Sequence, residues 1–185
     1  MTNIPESRRT FPRFLSFFDW AYLLDAVEFN EKYFEEKLAS LDDEKKTELN
    51  TVRQSLYRAV FISAFATLEQ NLDEIACTAQ LNKQINLSPT DLRHRGIRRS
   101  IVYAQKVLGR DLDITQEHWK DVFTLQEMRN HLVHQDPDLG QYGDKKSLYE
   151  KLAKSKFVSF NPELSISKDQ LTEIINLFIK CIEDY

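Results

Sequence analysis

Apolar residues recur along most of this chain at steps of three and four, the spacing of one helix face. Phe17, Ala21, Leu24, Val27, Phe34, Leu38 and Leu41 predict a first helix over residues 17–41. Asp42 and Asp43 break the pattern. Leu49, Val52, Leu56, Val60, Ala64, Leu68, Leu72, Ile75 and Ala79 then carry a second helix through residues 44–79, about ten turns long. No Gly or Pro interrupts it. Residues 80–90 (QLNKQINLSPT) read as a connector. A third helix starts near Thr90 or Gly96 and ends at Gly109, a suitable C-terminal cap. Thr115 is placed to cap a fourth helix that runs to about His134.

Residues 135–144 (QDPDLGQYGD) form a loop, and residues 157–166 (FVSFNPELSI) are extended around an Asn161-Pro162 turn. Ser167 caps a final helix through about Glu183, striped by Leu171, Ile174, Ile175, Phe178 and Ile182. Residues 1–13 read as a loose N-terminal arm. The expected fold is all-α: a single domain over residues 1–185, a helical bundle of four to five main helices with long early helices and a short extended segment before the last one.

Composition sharpens this picture. A chain of 185 residues suits one domain, and a domain of that size hides roughly 70% of its unfolded surface. Only four Gly and five Pro are present, so long uninterrupted elements are favoured over many short strands. Cys77 and Cys181 both sit in apolar helical patterns and read as small core residues in a reducing compartment. No long apolar run is present, so neither a signal peptide nor a membrane span is expected, and a cytoplasmic location is.

The net charge of −4 argues against indiscriminate coating of nucleic acid. It leaves room for a local basic patch. Between Leu92 and Arg110 lie Arg93, Arg95, Arg98, Arg99, Lys106 and Arg110, with no acid. Arg95, Arg98, Arg99 and Lys106 are candidate contacts to an RNA backbone. The plainer alternative is a solvated helix face. Tyr103 is either a stacking platform or a core residue.

The densest chemistry lies in QEMRNHLVHQDP, residues 126–137. On a wheel of about 100° per residue, Arg129 falls near the middle of the apolar face made by Trp119, Val122, Phe123, Leu125, Met128, Leu132 and Val133. An inward arginine without a partner costs several kcal/mol. It therefore meets a carboxylate, lines a cleft or sits at an interface. Asn130 and His134, four residues apart, lie on the margin of the same face. His131 falls on the polar side and is expected to face water. Glu69, at the edge of the apolar face of the second helix, is the candidate partner of Arg129, with Asp73 as its competitor. His94 and His118 read as surface residues. The His131–His134 pair has no ligand cluster around it beyond Asp136 and Asp138, so neither a metal nor a cofactor is expected. Gly-rich phosphate loops, nucleophile elbows and paired-carboxylate signatures are all missing from the sequence.

Arg129-Asn130-x-x-x-His134 resembles the R-x(4–6)-H motif, with a polar residue after the arginine, of the HEPN superfamily. The stretch FISAFATLEQNLDEI in the second helix is similar to family members too, where an acidic residue often accompanies the motif. The resemblance implies an all-α, commonly homodimeric, metal-independent endoribonuclease. Such proteins often serve as toxins of toxin–antitoxin pairs or in abortive infection and phage defence, some beside an antitoxin or nucleotidyltransferase partner. One toxin branch carries a tyrosine two residues after the motif histidine. Asp136 stands there in this chain, so control by nucleotidylation of that tyrosine is not expected.

RNA cleavage by its own 2′-OH needs proton transfer and stabilisation of a charged phosphorane. A histidine suits the first and an arginine fork the second. One intact helix would hold Arg129 and His134 about 140° apart. A site completed across a two-fold dimer is therefore the expectation, with Arg129, Asn130 and His134 catalytic and Glu69 supporting. The alternative is a catalytically silent module of the same type, binding RNA or a partner protein, or a bundle in which Arg129 is purely structural.

Overall fold

The computed structural model describes residues 15–134, 146–160 and 164–185, without the side chains of residues 15–18, 134, 146, 149 and 160. The N-terminal arm, the 135–144 loop and the Asn161-Pro162 turn lie outside the described residues. The fold is an all-α bundle. Its elements are α1 (Leu15–Leu38), α2 (Asp43–Asn82), a 3-10 turn (Pro89–Asp91), α3 (Ile97–Lys106), α4 (Glu117–His134), α5 (Lys146–Leu152), β1 (Ser159–Phe160), β2 (Leu164–Ser165) and α6 (Lys168–Asp184).

Local chemistry sets the ends of these helices. The Asp42 side chain accepts from the Lys45 amide at 3.0 Å and caps α2. Asp43 and Glu44 then place negative charge against the positive end of the helix dipole. With no breaker after them, α2 runs for 40 residues, about 60 Å. At the other end of the chain Ser167 and Gln170 cap α6 reciprocally, as a capping box. Thr115 does not cap α4. Asp113 accepts from both the amide and the hydroxyl of Thr115, at 2.9 and 2.6 Å, and the helix begins two residues later at Glu117. The apolar pattern did not announce α5.

Helix α2 is the spine, packed against α1, α3, α4 and α6, while α1 and α4 each also lie on α6. Its buried face, Tyr57, Phe61, Phe65, Leu68 and Leu72, meets Trp20 and Val27 of α1, Trp119, Leu125 and Met128 of α4, and Ile174 and Phe178 of α6 in one core. Trp20 Nε1 donates to the Ala64 carbonyl at 3.1 Å. Phe178 meets Phe65 edge to face with ring centres 5.5 Å apart. Val52 and Ala21, expected on inward stripes, are exposed.

A polar knot joins α1 to α2. Glu31 is buried, and Arg53 and Tyr57 both donate to its carboxylate. The extended segment, an antiparallel pairing of Ser159 with Ser165 and Phe160 with Leu164, is pinned to the spine by side chains of α2. Gln54 bonds both the amide and the carbonyl of Ile166, and Arg58 donates to the Leu164 carbonyl at 2.8 Å. Among the described residues no helix is long and apolar enough to cross a membrane.

Candidate functional site

The buried positions of α4 are His118, Trp119, Val122, Leu125, Met128 and His131. From Trp119 onward they are three residues apart. A step of three falls short of a full turn by about 60°. The buried face therefore rotates along the helix as α4 crosses its neighbours. This corrects two expectations. His131, read as facing water, is only 6% exposed. Arg129, read as central to the buried face, lies at its margin with 24% of its side chain exposed. Asn130 beyond it is exposed, and so is Val133. His134 is the last residue of α4, and its side chain lies outside the described residues.

At that margin α4 meets α2 and the start of α3. Arg129 Nη2 lies 3.7 Å from Glu69 Oε2, an ion pair longer than a hydrogen bond. Nη1 donates to Asn130 Oδ1 at 3.1 Å, and Nε is buried without a hydrogen-bond partner among the described residues. The guanidinium fork is thus only partly satisfied. Burial pushes the Glu69 carboxyl above its ordinary pKa, outweighing the attraction of Arg129, and the nearby Asp73 pushes the same way.

The carboxylate is also packed against backbone. Gly96, immediately before α3, has φ +55°, and a Cβ there would lie 2.5 Å from Glu69 Oε1 and 3.4 Å from Gln126 Nε2. The positive φ strains any residue with a Cβ at this corner, and that Cβ would force the end of the Glu69 side chain to move. Glu69, Arg129, Gln126 and Gly96 therefore form one polar junction of three helices. Neither Gln126 nor Gly96 stood out in the sequence. The available signals were the lone glycine inside a run of arginines and the position of Gln126, one turn before Asn130 on the same helix.

The basic run divides into different roles. Asp73 does not pair with Arg129. It accepts instead from Arg99, in a two-pronged ion pair, and from the Ser100 hydroxyl at 2.6 Å. Arg99 is thereby committed to the scaffold. Arg95 and Arg98, on either side of Gly96 in the chain, are exposed, and Arg98 lies over the Phe123 ring of α4 at 5.8 Å from its centre. Lys106 is exposed at the opposite end of α3, about 13 Å along the helix axis from its start. Arg110 is turned to the C-terminus, over the Tyr185 ring and bonded to the Tyr185 carbonyl. Tyr103 belongs to the core, its hydroxyl donating to the Leu87 carbonyl at 2.7 Å.

A separate cleft of about 320 Å³ opens at the start of α4, between His118, Asp121, Lys156, Glu173 and Lys180. Along α4 it begins about 12 Å from Arg129. His118, expected at the surface, is buried here. Its Nε2 is 3.2 Å from an Asp184 oxygen that also accepts from Trp119 Nε1 at 2.7 Å. The carboxylate matches the polar tips of two large rings, which explains why they can be buried. Among the described residues no three His, Cys, Asp or Glu side chains are grouped to hold a metal ion. Of the two cysteines Cys181 is buried as expected, while Cys77 is only partly so. No family model, curated protein or solved structure matches this chain.

Proposed function

We propose that this protein is a HEPN-like, metal-independent endoribonuclease of the cytoplasm, a toxin or phage-defence effector whose site at the end of α4 is completed by a second copy. The observation that carries the reading is the state of Arg129. It is partly exposed and incompletely satisfied at the junction, and Arg95 and Arg98, on either side of Gly96 in the chain, are exposed. A phosphate oxygen can supply the acceptor that Glu69, at 3.7 Å, does not fully provide. His134 closes the helix and is the candidate for moving the proton of the attacking 2′-OH. Asn130 orients the arginine fork through its Oδ1. Two such helix ends facing each other would give two cations and two imidazoles around one scissile phosphate. An antitoxin or nucleotidyltransferase would be the natural partner of such an effector.

The pairing of Arg129 with Glu69 favours a second reading, a module of the same type that binds RNA without cutting it. Incubation with mixed RNAs in EDTA separates the two. The nuclease reading expects fragments with 2′,3′-cyclic phosphate and 5′-OH ends, lost in His134→Ala with the helical signal intact. RNA retained on the protein with no fragments would overturn it in favour of the binding module.

A further inference from the structure

Helix α1 has two apolar faces. Trp20, Val27 and Phe34 turn into the core, while Tyr22, Phe29 and Tyr33 on the opposite side are 67%, 79% and 50% exposed. With the exposed Ala26 they form one line, at steps of four, three and four residues. That is the spacing of a helix-pairing seam. A lone exposed aromatic needs no explanation, but three large ones in line on a single helix form a continuous patch.

We infer that this face of α1 pairs antiparallel with α1 of a second copy of the chain. The step pattern reads the same in both directions. A two-fold axis between Val27 and Glu28 sets Tyr22 opposite the second copy's Tyr33, and the large Phe29 opposite the small Ala26. The flanking charges select the same orientation. Asp25 and Lys32, both exposed, lie on one edge of the seam. In the antiparallel arrangement each Asp25 falls beside the Lys32 of the other copy, twice over. A parallel pair would set Lys32 beside Lys37 twice, like against like.

The three aromatics offer roughly 400 Å² per copy. The flanking residues carry the total burial toward the lower end of specific interfaces, about 1,200 Å². A reversible, concentration-dependent association through α1 follows, additional to any contact between α4 ends. The pairing uses residues of α1 alone, none of them in the proposed RNA site, and it does not depend on the RNA reading.

Charge reversal tests the pairing without disturbing the core. Asp25→Lys puts lysine against Lys32, and Lys32→Asp puts aspartate against Asp25. Sedimentation equilibrium across a concentration series should show the wild type associating beyond its 21.8 kDa chain mass. Each single variant should associate at least about tenfold more weakly. An equal mixture of the two variants should recover the wild-type affinity, because each then meets its opposite charge. Circular dichroism confirms that the variants are folded. Equal sedimenting mass for the wild type and both single variants, or failure of the mixture to recover, would overturn the inference. None of these readouts involves RNA.

Discussion

Glu69 shows how one half-buried charge couples the candidate site to stability. Its carboxyl titrates above its ordinary range because burial outweighs the pull of Arg129. A raised acid takes up its proton in the folded chain before it does so in the unfolded one. The cost of the ionised form is therefore fully present above the raised native pKa and vanishes as pH falls to the unfolded value. The wild type should gain stability relative to Glu69→Gln as pH is lowered through that interval, and the difference should be flat above it. Urea midpoints of both proteins across the acid range read this directly. Were the wild type to lose stability relative to the variant on acidification, the ion pair with Arg129 would dominate over burial.

At the scale of the elements, the spacing of apolar residues was enough to place α1, α2, α4 and α6, because long helices without breakers repeat their signal many times. What it missed has a geometric cause. A wheel assumes that one face of a helix stays buried along its whole length. In α4 the step of three from Trp119 to His131 turns that face at each successive position, so His131 goes inside and Arg129 moves to the rim. In α1 two apolar faces overlap in sequence, and the inward series conceals the outward one. Glu69 as the neighbour of Arg129 could be read from its place on the edge of α2, while the role of Gly96 required knowing that α3 begins against α2.

That close approach gives a sharp expectation. Gly96 has φ +55° and ψ −148°, a region open essentially to glycine alone, where any other residue costs about 1–3 kcal/mol. Gly96→Ala also obliges the end of the Glu69 side chain to move away from the new methyl group, disturbing its pairing with Arg129. Thermal melts should show Gly96→Ala strongly destabilised, and Glu69→Ala in the same chain should recover part of the loss. Strict additivity of the two substitutions would mean that the clash carries no energy.

For the molecule as a whole, the proposed RNA site would require an acidic chain to concentrate its positive potential where binding occurs. The net charge is −4, so non-specific attachment to a phosphate backbone is mildly disfavoured. Within the basic run the fold sorts the cations by availability. Arg99 is tied to Asp73 and Arg110 to the Tyr185 carbonyl, Lys106 stands at the far end of α3, Arg93 is exposed in the preceding loop, and Arg95 and Arg98 are exposed on either side of Gly96 in the chain. If RNA enters at the junction, those two arginines should carry most of the salt-sensitive affinity. Arg95→Ala and Arg98→Ala should each weaken binding to a single-stranded RNA and lower the slope of log affinity against log salt by about 0.7 for each phosphate no longer neutralised. Lys106→Ala should leave both nearly unchanged. Fluorescence anisotropy over a salt series in EDTA measures the slope and the affinity together. Equal losses from all three substitutions would place RNA along the whole of α3 instead, leaving Arg129 without a privileged position in the complex.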